Sequence, residues 1–171
     1  MNAISLENVA LFAGLDPEEL EDVRPIFECV SFDSGHTVVA EGEQGQEMFI
    51  LIAGKVRVLK SMLRRDLEVP GLTGPNARKV LATLDSHAHP VFGEMALIDA
   101  DIRSASVETL EPCQFLMTDR ERFFALAQAK PELGCKLLTA LCRRMAEMVR
   151  SSNQEVVKLT TALALLLAGK R

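Results

Sequence analysis

The sequence predicts an α+β domain: an antiparallel, jelly-roll-like β-roll with a helix before it, a short helix inside it and a long helix at its C-terminal end. Three observations carry this. Short β-rich runs separated by turn residues fill the middle of the chain. Capping signals followed by helical periodicity stand at its start. From Pro131 to Ala168 nothing breaks a helical pattern.

The first helix is announced by Asp16-Pro17-Glu18-Glu19, which combines an N-cap, a proline at the first helical position and a capping-box carboxylate. Leu20, Val23, Ile26 and Phe27 follow at helical spacing, and Phe12 and Leu15 can fold onto that face. From Val30 the texture becomes strand-like. The runs are Thr37–Ala40, Met48–Ile52, Val56–Leu59, Val80–Leu84, Ala105–Thr109 and Cys113–Met117. Asp33-Ser34-Gly35, Glu41-Gly42-Glu43, Ala53-Gly54-Lys55 and Glu111-Pro112 punctuate them. No helix-sized crossover separates most runs, so pairing is antiparallel. Residues 61–79, with Arg64, Arg65, Pro70, Gly71, Gly74 and Pro75, read as a long mobile hairpin tip or surface insertion.

Thr118-x-x-Glu121 reads as a second capping box, opening a short helix over 122–130 that Pro131 ends. In the long helix that follows, Cys142, Met145, Val149, Ser152, Val156, Leu159, Leu163 and Leu166 recur at alternating steps of three and four. This is a coiled-coil seam, and a helix this long outruns a small β-roll. A second copy of the chain is the simplest partner, and packing on its own β-domain is the alternative. The chain therefore divides into a ligand-binding roll over 1–130 and a dimerisation helix over 131–171.

Composition narrows the function. Hydrophobic residues at 48% and charged residues at 25% describe a globular protein. A net charge of −5 argues against an autonomous nucleic-acid binder. Met1 to Leu15 lacks the pattern of an export signal, and Ala162–Ala168 is far short of the roughly 20 apolar residues that span a bilayer. No membrane partner and a cytoplasmic location are expected. Cys29, Cys113, Cys135 and Cys142 form no CxxC pair and read as buried free thiols in a reducing compartment.

The chemistry lies in Phe92-Gly93-Glu94-Met95-Ala96-Leu97, a short Asp-rich tip, then Arg103-Ser104-Ala105-Ser106-Val107. Gly93 permits tight backbone geometry, and Glu94 to Leu97 can form one helical turn whose free N–H groups suit an anion. Arg103 offers a donor fork that matches a phosphate, and Glu94 offers paired acceptors for a sugar hydroxyl. A surface Glu–Arg ion pair is the plain alternative.

FGEMAL, IDADI and RSASV together closely resemble the phosphate-binding cassette of cyclic-nucleotide-binding domains, the family of the catabolite activator protein and the regulatory subunits of cAMP-dependent kinase. Gly42-Glu43, Gly45 and the run from Met48 to Val58 through Gly54 resemble the same family's β-roll. The resemblance covers roughly residues 11–152. It implies that Glu94 accepts the ribose 2′-hydroxyl and Arg103 pairs with the cyclic phosphate. Backbone N–H groups near Gly93, Ala96 and Ala105 would seat the phosphate, Ser104 would donate to phosphate or base, and Phe92 and Met95 complete the site. The implied ligand is cyclic AMP, with cyclic GMP open because Ser104 lies between the family's Thr and Ala; no further cofactor is expected. A non-enzymatic sensor that transmits occupancy through its C-terminal helices to a separate effector follows from the same resemblance. The sequence ends at Arg171, so no direct DNA binding is expected.

The sequence departs from the family at His87-Ala88-His89-Pro90-Val91, where a Gly-Asp pair is common, and at Ile102 in place of a proline. With no Trp or Tyr, an aromatic lid over the base cannot use either. Two rivals stand. One is an orphan β-roll used for docking that binds no nucleotide. The other is a metal-dependent cupin-like enzyme, whose first motif His87-x-His89-x4-Glu94 imitates, although Leu81 and Asp101 stand where its glycines belong.

Overall fold

The computed structural model describes residues 6–62 and 78–168. Helix α1 spans Pro17–Val23 behind its capping box: Asp16 Oδ1 accepts from the Glu19 amide at 2.9 Å, and Glu19 Oε2 accepts from the Asp16 amide at 3.0 Å. The helix tightens into a 3-10 turn at Arg24–Ile26, where Pro25 removes a backbone donor. The periodicity that predicted a continuous face to Phe27 therefore bends there. Phe27 still meets Phe12 edge to face, with centroids 5.7 Å apart.

Among the described residues eight strands follow: β1 Glu28–Phe32, β2 Thr37–Val39, β3 Glu47–Ala53, β4 Lys55–Ser61, β5 Arg78–Asp85, β6 Val91–Phe92, β7 Ser106–Thr109 and β8 Cys113–Asp119. They form two antiparallel sheets, ordered β1-β8-β3-β6 and β2-β7-β4-β5. This is the expected β-roll with its added helices. Two strands were not legible as runs. The residues of β1 are half-exposed or exposed, and the strand exists through its pairing with β8. β6 has two residues and exists because Phe92 and Val91 pair with Phe49 and Ile50 of β3.

Strand β3 explains why the fold has two cores. Side chains alternate across a strand. Phe49 and Leu51 face one way, into a cluster with Val39, Val56, Phe92, Val107, Cys113 and Phe115. Met48 and Ile50 face the other way and pack with helical residues including Phe12, Leu20, Phe123, Leu137 and Leu141. A strand buried on both faces reads as the continuous apolar run Met48–Ile52.

β4 and β5 pair from Lys55↔Asp85 to Ser61↔Arg78, which gives the expected hairpin its arms. The tip of that hairpin lies outside the described residues. The short inner helix α2 spans Glu94–Asp99, α3 spans Arg120–Ala129 and α4 spans Pro131–Ala168. The cap of α3 is Asp119, not Thr118: Asp119 Oδ1 accepts from the Arg122 amide at 2.8 Å. Thr118 is fully buried at the end of β8, so its side chain faces the core and cannot reach the helix amides.

Leu133, Leu137 and Leu141 bury the start of α4 against the roll. Beyond it the seam residues Val149, Val156, Leu159, Leu163 and Leu166 are exposed, so the chain's own β-domain does not cover them. Of the four cysteines only Cys113 is buried; Cys29, Cys135 and Cys142 are exposed, which corrects the expectation of buried thiols. All four are free. Among the described residues no helix is long and apolar enough to cross a membrane.

Candidate functional site

Backbone bonds set Arg103 before its side chain does. Its amide donates to the Glu43 carbonyl at 2.8 Å, its carbonyl accepts from the Gly42 amide at 2.9 Å, and Gln44 bridges Ile102. The guanidinium then turns inward, 7% exposed. Nη1 donates to the Glu47 carbonyl at 2.7 Å and to the Gly93 carbonyl at 3.4 Å, and Nη2 donates to Glu47 Oε2 at 2.6 Å. A guanidinium carries five N–H donors. Nη1 and Nη2 make these contacts, and the Nε–H has no acceptor among the described residues; the donor fork of a guanidinium matches a phosphate. Burial pushes the Arg103 pKa down and the Glu47 carboxylate pushes it back up; an arginine stays cationic under both.

Two glycines make room for this arrangement. A Cβ on Gly45 would run into the Arg103 guanidinium. Gly93 has φ +83°, and a Cβ there would come within 2.6 Å of the Glu47 carbonyl oxygen. At Gly93 a side chain is excluded by the close backbone approach and by the left-handed conformation, whereas at Gly45 one would have to displace the guanidinium.

Glu94 opens α2 and is 3% exposed. Its Oε1 lies 3.0 Å from Nε of Arg144, which comes from α4 and also donates through Nη2 to the Val91 carbonyl. At the other end of α2, Arg120 Nη1 donates to the Leu97 carbonyl at 2.7 Å and to that of Ile98, while its guanidinium stands 4.6 Å over the Phe124 ring. Leu97 is buried beside Phe123 and Leu137, and Ile98 and Phe124 pack against that cluster. So α2 is fastened at both ends to the helices that follow the roll.

The expected site residues Phe92, Gly93, Glu94, Met95, Ala96, Arg103, Ser104 and Ala105 all line one cavity of about 440 Å³. Phe92 also belongs to the core, stacked on Phe49 with centroids 5.4 Å apart, and so anchors the start of the cassette. Glu94 and Arg103 do not pair with each other as a surface bridge would; each has its own counter-charge, Arg144 and Glu47. Sequence reasoning missed both partners, as well as Lys60 and Met148, which line the cavity. Arg144 and Met148 sit in an uninterrupted helix with nothing local to mark them. Glu47 stood inside the Gly45-to-Met48 signature, where a carboxylate beside a turn was a readable signal. Ser152, the polar interruption of the seam, is exposed and lies outside the lining.

The histidine loop does not assemble a metal centre. The His87 ring engages the Asp85 carboxylate, Glu94 is held by Arg144, and His89 sits at φ +43°. Among the described residues no group of three or more His, Cys, Asp or Glu side chains is placed to hold a metal ion, against the cupin-like reading.

The family model of the cyclic nucleotide-binding domain matches residues 29–130. The chain belongs to this family. This cyclic nucleotide-binding domain is 31% identical over 137 residues to the cyclic AMP receptor protein of Thermus thermophilus, covering 80% of the chain and 57% of that protein. It is 29% identical over 140 residues to the CRP-like cAMP-activated global transcriptional regulator of Mycobacterium tuberculosis, covering 82% of the chain and 57% of the regulator. Its fold superposes on that of Thermus thermophilus catabolite activator protein with a TM-score of 0.72 at 27% identity, over 88% of this chain and 63% of the other. The domain thus spans a little over half the length of these curated relatives. The matched stretch holds both Glu94 and Arg103, while Arg144 and Met148 lie past its end.

Proposed function

We propose that this domain is a non-enzymatic sensor of a 3′,5′-cyclic nucleotide, cyclic AMP in the first place. One observation carries the reading: a buried arginine and a buried glutamate line the same cavity as the first turn of α2. Arg103 holds the cyclic phosphate and Glu94 accepts the ribose 2′-hydroxyl. The amides of the first turn of α2 have no intrahelical acceptor and add donors to the phosphate. In a half-enclosed site such charge-assisted bonds are stronger than in water. The cAMP-binding relatives support the choice of cyclic AMP.

Occupancy is reported through α2. Glu94 cannot rearrange without Arg144, nor the end of α2 without Arg120, so α3 and α4 register the ligand. A ligand shifts such packing only through its differential affinity for the two arrangements. The exposed seam of α4 pairs with a second copy, and a separate effector in the cytoplasm receives the signal. The test is a thermal melt of the chain titrated with cyclic AMP, with calorimetry for stoichiometry. Tm rises with ligand if only the folded state binds. A Tm and heat unchanged at millimolar nucleotide return the domain to the docking-roll reading.

A further inference from the structure

The further inference rests on that reading of the cavity. With the sugar phosphate assigned to Arg103, Glu94 and the first turn of α2, the remaining walls include Val58, Lys60, Leu81, Leu84 and Met148. They are largely apolar, and Leu81 and Met148 are 52% and 43% exposed, a surface suited to one face of a flat base. Among the described residues five lining side chains carry nitrogen or oxygen: Lys60, Glu94, Arg103, Ser104 and Arg144. Three of these are already committed to the sugar phosphate or to each other. The polar edge of a base is therefore met by Lys60 and Ser104.

Lys60 is the penultimate residue of β4, with a half-exposed side chain. Its Nζ donates to the Ser104 carbonyl and lies 3.1 Å from Glu41 Oε1. An ammonium has three donors and no acceptor. Two are used, and the third has no partner among the described residues. Such a group distinguishes purines by their edges. Guanine presents O6 and N7, two adjacent acceptors, while adenine presents N7 beside an amino group that itself donates. We propose that Lys60 is a base-reading residue of this site, through which it accepts cyclic GMP as well as cyclic AMP. Binding of the guanine nucleotide depends on Lys60, and binding of the adenine nucleotide does not.

Calorimetry of the unmodified chain, Lys60→Met and Lys60→Arg with each nucleotide tests this. Methionine keeps the length of the stem and removes the charge. The loss of one hydrogen bond to a charged donor raises the Kd for cyclic GMP about tenfold or more, while that for cyclic AMP stays within about twofold. Arginine retains a donor and keeps cyclic GMP binding. Equal weakening of both nucleotides in Lys60→Met overturns the proposal, since Lys60 would then act only by bracing Ser104. So does an unchanged ratio, or an unmodified chain that binds cyclic AMP alone. An unmodified chain that binds neither nucleotide overturns the cyclic-nucleotide reading and this proposal with it.

Discussion

Nε of Arg144 lies 3.0 Å from Oε1 of Glu94, which joins the long helix α4 to the first residue of the cassette helix α2. The Glu94 side chain is 4% exposed and that of Arg144 37%. Truncating the arginine leaves a nearly buried carboxylate without its counter-charge. Arg144→Leu is expected to cost about 1–3 kcal/mol in urea denaturation, with water screening on the arginine side holding it below a fully buried pair. Hydrogen exchange supplies the functional readout. In the unmodified chain cyclic AMP changes protection across 130–152; in Arg144→Leu that change is expected to shrink. An undiminished response would exclude Arg144 as the connection.

Arg103→Ala is expected to weaken cyclic AMP binding by about 2–5 kcal/mol, the usual cost of truncating one partner of a buried charge pair. Gly45→Ala should weaken it too, without touching a ligand-bearing side chain, because the new Cβ displaces the guanidinium. Calorimetric Kd values unchanged in both variants would remove Arg103 from the site.

The exposed seam predicts self-association. Val156 and Leu159 are 55% and 62% exposed in the single chain. Replacing both with Glu puts charges into an apolar interface and is expected to yield monomers in sedimentation velocity. An unmodified chain that sediments as a monomer at high concentration would rule out the dimer.

Thr118 and Asp119 separate a core position from a cap. Asp119→Ala is expected to cost about 1 kcal/mol through the lost N-cap. Thr118 Oγ1 is buried with no hydrogen-bond partner among the described residues. Thr118→Val keeps the shape and removes an unsatisfied hydroxyl, so stability should hold or rise. A larger loss for Thr118→Val than for Asp119→Ala would return the cap to Thr118.

Asp85 supplies a pH prediction. The His87 amide, its strongest partner, and then the His87 ring and Lys55 lower its carboxyl from the usual 3.8 to about 2. The folded pKa lies below the unfolded one. The stabilisation is therefore complete above about pH 4 and is lost as the pH falls through about 2. An NMR titration of the Asp85 carboxyl should show a midpoint well below 3.8, and Asp85→Asn should lose the corresponding acid dependence. A midpoint at the ordinary value would mean that the His87 turn does not persist in solution.

Legibility followed the range of the interaction that decides each feature. The α1 cap, the β3 run and the Phe92–Arg103 stretch were readable because each depends on residues a few positions apart. The long helix α4 was readable because nothing from Pro131 to Ala168 interrupts its pattern. Strand β6 was not, since two residues carry no period and pairing with β3 alone makes them a strand.

The sequence by itself determined the β-roll and set Glu94 and Arg103 nine positions apart around a short helical turn, since residue type and local spacing encode these. Tertiary structure decided which charges stand behind those groups. Glu47 reaches Arg103 across 56 positions, and Arg144 reaches Glu94 across 50. Coulomb and hydrogen-bond energies depend on distance in space, and chain separation says nothing about that until two sheets and a helix have packed.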